Sequence, residues 1–224
     1  MSYPYAYITG CFILSLFWLF IYIKRKDLRK EMLWASFIGL PFGFFDYFLV
    51  PQYWKPDSLF GLIEKYGFGI ESFIFFFFMA GIASVIYEFL FKKKLVKINR
   101  SATKNYYPVL TTAISIIIFS IFYPTKAIYG LVVISGLGSI FIIYHRRDLW
   151  KQIFVTSVVF SCFYFLVFVL INLIFEGLVE YSYNLENISG LFILGVPIEE
   201  LVVASFAGAF WSSLYEYTKS YIEK

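Results

Sequence analysis

The chain has 224 residues, of which 60% are hydrophobic and 15% charged, with a net charge of +4 and a mean hydropathy of +0.74. Soluble domains average about 45–50% apolar and about 25% charged residues, so this composition excludes a water-soluble enzyme, a disordered chain and a secreted disulfide scaffold. The positive charge comes from short clusters rather than from a basic domain, which excludes nucleic acid as a partner, and an all-α polytopic membrane protein surrounded by lipid remains.

Seven segments are long and apolar enough to cross a bilayer as helices of about 20 residues. In chain order they are 5–23, 33–50, 68–91, 106–124, 128–144, 153–176 and 192–215. Sixteen of the 19 Lys and Arg residues lie in the 24–32, 92–105 and 145–152 loops or at the C-terminus. Because basic loops stay on the cytoplasmic side, we predict a multi-pass cell-membrane protein with its N-terminus outside and its C-terminus in the cytoplasm.

The chain also resembles itself. Acidic residues of the first part align with acidic residues of the second in the pairs Asp27/Asp148, Glu71/Glu199 and Glu88/Glu216. The last two pairs are both 128 residues apart, and the first pair is 121 apart. We therefore predict two parallel three-helix repeats, related by an axis along the membrane normal. Residues 1–105 form the first half with spans 1–3, 106–124 form a linker helix, and 125–224 form the second half with spans 5–7.

Five carboxyl groups fall toward the external ends of these spans, where charged groups are costly and mark function. The candidate catalytic residues are Asp46, Glu71, Glu176, Glu199 and Glu200. Aromatic and amide side chains at the same level are candidate substrate contacts, namely Phe45, Tyr47, Trp54, Asn172 and Tyr183. A structural explanation also fits, because the first turn of a helix favours carboxylates and Tyr and Trp form belts at membrane interfaces.

The chemistry of this layer suits a hydrocarbon substrate. Burial disfavours the carboxylate anion, so one carboxyl can stay protonated and act as a general acid while another accepts a proton. Glu71 and Glu199 are our candidates for acid and base, in either order. Asp46 and Glu200 then tune their protonation. The rings of Trp54 and Tyr183 shelter a carbocation. Such a set favours proton-initiated isomerisation or cyclisation of an olefin.

Two short motifs and their repetition resemble the lycopene cyclase family of membrane proteins. The second half contains Arg147-Asp-Leu-Trp150 and Pro197-Ile-Glu-Glu200, and the first half contains Asp46, Trp54 and Gly69-Ile-Glu-Ser72. The resemblance implies an isomerase of carotenoid biosynthesis that closes the end group of a linear carotenoid to a ring, without a redox change, a cofactor or a metal. Gly69 and Ser72 depart from the Pro-x-Glu-Glu pattern and put the first-half site in doubt.

Three other functions were weighed. A small-molecule transporter needs ionisable groups near the midplane, whereas these carboxyls lie toward one side. An intramembrane metalloprotease needs His ligands in the membrane, and His145 lies in a predicted cytoplasmic loop. A non-catalytic carotenoid- or lipid-binding scaffold stays open because of Ser72. Whether copies of the chain form a homo-oligomer also stays open.

Overall fold

The computed structural model describes residues 3–97, 106–219 and 221–223, and the chain is mostly helical. The helices within these residues are α1 Ala6–Lys24, α2 Arg29–Gly39, α3 Asp46–Leu49, α4 Leu62–Tyr66, α5 Ile70–Phe91, α6 Tyr107–Phe122, α7 Ala127–His145, α8 Trp150–Ile174, α9 Leu178–Ser182 and α10 Ile198–Lys219. The strands are β1 Leu95–Lys97, β2 Phe192–Ile193, β3 Val196–Pro197 and β4 Tyr221–Glu223. β1 pairs antiparallel with β4, and β2 with β3.

Long apolar helices dominate the described part of the chain. Five helical stretches there are long and apolar enough to cross a membrane, namely Ala6–Lys24, Arg29–Leu49, Ile70–Phe91, Pro124–His145 and Arg147–Ile174. Tyr107–Phe122 is a shorter apolar helix. The expectation of a mostly helical chain with several helices able to span a membrane is confirmed, and the count of seven stays a prediction.

The predicted span 33–50 is broken near its end by a 3₁₀ helix, Leu40–Phe45, that separates α2 from α3. A proline in its first turn lacks the N–H that an α-helix requires. Gly43 packs so closely on α5 that a Cβ atom there would lie 2.8 Å from the backbone nitrogen of Phe73. The break places Asp46 in the first turn of α3.

The predicted span 192–215 is wrong over its first six residues. These residues form the β2–β3 hairpin, with Leu194 and Gly195 at positive φ in its turn. Glycine reaches that region without a steric penalty, so Gly195 favours a turn over a helix here. Helix α10 therefore begins at Ile198, and this start fixes which faces of the helix Glu199 and Glu200 occupy.

The long helices pack in two groups that share a core. In one group α5 packs against α1 and α2, and in the other α10 packs against α7 and α8. α5 also contacts α8 and α10, which joins the groups, and α6 packs against α7. Leu14, Phe160 and Leu214 are among the buried side chains of this core.

An arginine beyond the end of α1 and another beyond the end of α7 make matching hydrogen bonds. Arg25 donates to both carboxylate oxygens of Asp27, at 3.0 and 2.8 Å. Arg146 donates to both oxygens of Asp148, at 2.9 and 2.7 Å. Each also donates to two backbone carbonyls, those of Glu88 and Lys93 for Arg25 and those of Glu216 and Tyr221 for Arg146. Each arginine thereby ties the end of one helix to the segment that follows a second helix.

Candidate active site

A cavity of about 190 Å³ lies between the two groups of helices, and residues of α1, α3 and all helices from α5 to α10 contribute to its lining. Most of its wall is aliphatic or aromatic, including Phe75, Phe160 and Trp211. Two carboxyl groups belong to the lining in addition to that of Asp57, which lies in the loop after α3. They are Asp46, which is 2% exposed, and the half-buried Glu200.

Glu200 is held by three tyrosine hydroxyls. Tyr53 and Tyr183 donate to its Oε1 at 2.9 and 3.0 Å, and Tyr164 donates to its Oε2 at 2.7 Å. Burial, and then the nearby Glu200 carboxylate, raise the pKa of the loop residues Tyr53 and Tyr183 well above the usual value. Both hydroxyls therefore keep their protons and act as donors to Glu200 at neutral pH.

Asp46 has a different set of partners. The Ser72 hydroxyl donates to Asp46 Oδ2, and the Tyr7 hydroxyl donates to the same oxygen at 3.3 Å. Ser72 is fully buried in the first turn of α5, where its Oγ also accepts the Gly69 N–H at 3.2 Å. Ser72 thus holds Asp46 from the first turn of α5, and Glu200 lies in the first turn of α10.

The loops above the cavity are paired with each other. Trp54 and Tyr183 form an antiparallel bridge, and both side chains line the cavity. Their ring centroids are 6.2 Å apart, and the Tyr53 and Tyr183 rings meet edge to face at 5.4 Å. The aromatic rings therefore cover the end of the cavity at which the two carboxyls lie.

Glu71 and Glu199 are placed differently from our interpretation of them as the acid and base. Both are buried, but neither is among the residues that line the cavity. Glu71 Oε1 accepts the Leu59 N–H at 2.5 Å, and Glu199 Oε1 accepts the Ser189 N–H at 2.5 Å. Because adjacent residues lie about 100° apart around a helix, Glu200 faces the cavity and Glu199 faces the loop before α10.

The remaining candidates lie outside the cavity lining. Phe45 is buried against Phe42, and Tyr47 is 61% exposed. Glu176 is exposed, and its backbone carbonyl accepts the Tyr3 hydroxyl. Asn172 donates to the carbonyl of Gly195 at 3.1 Å, so it supports the hairpin before α10.

Sequence reasoning missed Tyr7 and Tyr164 as partners of the cavity carboxyls. The available signal was a hydroxyl inside a predicted span, since a buried tyrosine hydroxyl usually has a hydrogen-bond partner. Among residues 3–97, 106–219 and 221–223, no group of three or more His, Cys, Asp or Glu side chains could hold a metal ion.

Comparison with known protein families identifies a family whose model matches this chain. The model of the lycopene cyclase family matches residues 4–90 and 125–218, which together make up most of the sequence. Asp46 and Ser72 fall in the first matched segment, and Tyr164 and Glu200 fall in the second. No curated protein and no solved structure matches the chain.

Proposed function

Because the chain belongs to the lycopene cyclase family, we propose that it is an integral membrane enzyme that closes the end group of a linear, lycopene-type carotenoid to an ionone ring. The reaction is an acid-initiated isomerisation, in which no electrons are exchanged with a cofactor. The substrate reaches the site from the surrounding lipid, in which a carotenoid dissolves.

One observation carries the proposal. Asp46 and Glu200, one from each segment that matches the family, line the same largely apolar cavity. A hydrocarbon end group can pass from lipid into such a cavity without contacting water, while carboxyl groups are costly there and are kept for function. The combination suits proton transfer to and from an apolar substrate.

The surroundings of the carboxyls fit the intermediates of this reaction. Protonation of a carbon–carbon double bond produces a carbocation, which aromatic ring faces attract. Trp54, Tyr183 and Phe75 supply such rings in the cavity wall. A site with few water molecules also prevents hydration of the cation.

Glu71 and Glu199 serve as positioning residues in this proposal. Glu71 accepts the N–H of Leu59 in the loop between α3 and α4, and Glu199 accepts the N–H of Ser189 in the loop between α9 and β2. By fixing those loops they fix the starts of α5 and α10, and with them Ser72 and Glu200. The proposed reaction therefore depends on them indirectly.

The proposed setting is a cell membrane crossed seven times, with the N-terminus outside and the C-terminus in the cytoplasm. In this proposal the seven membrane-spanning segments are the five long apolar stretches together with α6 and α10. The basic clusters around Arg25 and Arg146 then lie on the cytoplasmic side, as expected for basic loops. The cavity carboxyls lie toward the opposite side.

Expression of the chain in a bacterium that accumulates lycopene tests this function. We expect a new pigment of unchanged mass and altered chromatographic retention, because ring closure is an isomerisation. Its absorption maximum lies at a shorter wavelength, because the ring double bond is twisted out of the plane of the polyene or is no longer conjugated with it. Glu180→Gln, at an exposed residue, is the matched control for later carboxyl variants. Recovery of unchanged lycopene from membranes that contain the folded chain contradicts the proposal and favours a scaffold or transporter.

A further inference from the structure

The two cavity carboxyls differ in how many of their oxygens accept hydrogen bonds. Both oxygens of Glu200 accept tyrosine hydroxyls, at 2.7–3.0 Å. Among the described residues, the hydroxyls of Tyr53, Tyr164 and Tyr183 make no other hydrogen bond. A neutral carboxylic acid has to donate through one of its oxygens, whereas a carboxylate only accepts. Three donors aimed at one carboxyl therefore favour the anion at Glu200.

At Asp46 the hydroxyl donors meet on one oxygen. Ser72 and Tyr7 both donate to Oδ2, the Trp54 side chain also interacts with the carboxyl, and no hydroxyl among the described residues donates to Oδ1. The side chain lines the cavity. A neutral acid with its proton on Oδ1 keeps both hydrogen bonds at Oδ2 and presents an O–H group to the cavity. The arrangement at Asp46 thus suits a proton donor.

From this difference we infer that Asp46 is the general acid of the cyclisation and Glu200 is the general base. The inference rests on the proposed function and adds the direction of proton transfer. Asp46 belongs to the first matched segment and Glu200 to the second, so the two halves have unequal roles around one site. Ser72 then supports the acid, and the three tyrosines support the base.

The proton balance of the reaction follows directly. The Asp46 proton adds to the terminal double bond of the linear end group and leaves a tertiary cation. An internal double bond attacks this cation, so one carbon–carbon bond forms and the charge moves to a ring carbon. Glu200 removes a proton from a carbon beside that charge, and the electron pair of the broken C–H bond forms the ring double bond. One proton is gained and one is lost, and passage of a proton from Glu200 to Asp46 resets the site.

Deuterium exchange separates the two roles. Membranes carrying Asp46→Asn or Glu200→Gln are incubated with lycopene in D₂O, and the recovered linear carotenoid is analysed by mass spectrometry. Both variants are expected to lose at least about 100-fold in ring formation, as is usual for loss of a general acid or base. Glu200→Gln still delivers a deuteron and then reverses, so linear carotenoid from this variant gains deuterium. With Asp46→Asn the recovered substrate stays unlabelled.

Tyr164→Phe provides a second, milder test. It keeps the ring and removes one of the three donors that favour the Glu200 anion, so a smaller fraction of Glu200 is in the form that can accept a proton. We expect ring formation to fall about tenfold, with label in the linear carotenoid between the wild-type and Glu200→Gln levels. Carotenoid that co-purifies with each variant at the wild-type level shows that the cavity is intact.

The outcomes distinguish this inference from the proposed function. Deuterium in the substrate with Asp46→Asn but not with Glu200→Gln reverses the assignment and overturns the inference alone. Absence of label from both variants, while the wild type forms rings, overturns it as well. If the wild type forms no ring from any carotenoid, the proposed function itself is wrong.

Discussion

Trp54 and Tyr183 lie opposite each other in an antiparallel bridge that joins the loop after α3 to the loop after α9. The flanking backbone hydrogen bonds run from the Lys55 N–H to the Ser182 carbonyl at 2.5 Å and from the Asn184 N–H to the Tyr53 carbonyl at 2.9 Å. The bridge therefore joins the two loops and positions both rings over one cavity.

Tyr183→Phe tests the contribution of a single hydroxyl to this site. The variant keeps the ring against Trp54 but removes one of the three donors to Glu200. A hydrogen bond to a charged group contributes about 1.5–3 kcal/mol, and about 1.4 kcal/mol corresponds to a tenfold change in rate. We expect ring formation to fall tenfold or more, measured by chromatography of pigments. Tyr144→Phe, at a 75% exposed tyrosine of α7, serves as the control, and equal losses in both variants contradict the prediction.

The two arginines at the other end of the helices are expected to contribute to stability rather than to activity. Arg146→Lys cannot reproduce the paired hydrogen bonds to Asp148 together with those to two carbonyls, because an ammonium group lacks the planar fork of guanidinium. We expect a loss of about 2 kcal/mol in the free energy of unfolding, seen as a lower Tm in detergent. Arg147→Lys at the adjacent exposed residue is the control, and a similar loss in both variants argues against a specific role for Arg146.

Asp27 gives the protein a pH-dependent contribution to stability. The hydrogen bonds from Arg25 lower the pKa of this carboxyl below its usual value. A lowered pKa in the folded state stabilises the fold above the unfolded-state pKa of about 3.9, and that stabilisation is lost as the pH falls through the folded-state value. In Asp27→Asn, we therefore expect a smaller fall in Tm between pH 6 and pH 3 than in the wild type. Glu186→Gln, at an exposed glutamate, is the comparison, and an unchanged pH profile in Asp27→Asn rules the contribution out.

Sequence spacing alone gave the matching positions of several polar residues. Asp27 and Asp148 align in the sequence. In the structure the carboxylate of each accepts two hydrogen bonds from one arginine side chain. Glu71 and Glu199 align as well, and each accepts an N–H of a preceding loop. These matching positions could be predicted from the sequence because acidic residues are rare in apolar segments, so that an alignment between them is informative.

The spacing of the acidic residues in the sequence could not predict which face of its helix each of them occupies. Glu199 and Glu200 are neighbours, and which one reaches the cavity depends on where α10 begins. That start is set by the β2–β3 hairpin, whose apolar sequence is indistinguishable from the start of a membrane span by hydropathy. Tyr7 and Tyr164 were missed for a related reason, because each lies in a segment rich in aromatic residues in which one hydroxyl does not stand out.

Gly43→Ala tests whether the break between α2 and α3 positions Asp46. The added methyl group would lie 2.7–2.9 Å from Phe73, including its backbone nitrogen and Cα, so the 3₁₀ segment has to shift away from α5. Overpacking of this kind costs about 1–3 kcal/mol, and we expect both a lower Tm and a loss of ring formation. Gly10→Ala is the matched control for stability, because its methyl group meets only the flexible end of Ile171 at 3.0 Å. Equal Tm values for the two variants would show that the close approach at Gly43 is not required.

Glutamine substitutions at Glu199 and Glu200 distinguish a positioning role from a chemical one. An amide oxygen can still accept the Ser189 N–H, so Glu199→Gln preserves the contact that the carboxyl makes with the loop before α10. An amide cannot remove a proton from a carbocation, so Glu200→Gln removes the proposed chemistry. We expect less than about a tenfold loss of ring formation for Glu199→Gln and at least about a 100-fold loss for Glu200→Gln.

Glu199→Ala completes this comparison, because it removes the acceptor that the glutamine variant keeps. If Glu199 acts only through the loop, the alanine variant loses more activity than the glutamine variant and also unfolds at a lower temperature. If instead glutamine and alanine are equally inactive at position 199 while both variants stay folded, the charge of Glu199 is required. The acid–base pair that the sequence suggested, Glu71 and Glu199, then replaces Asp46 and Glu200 as the better assignment.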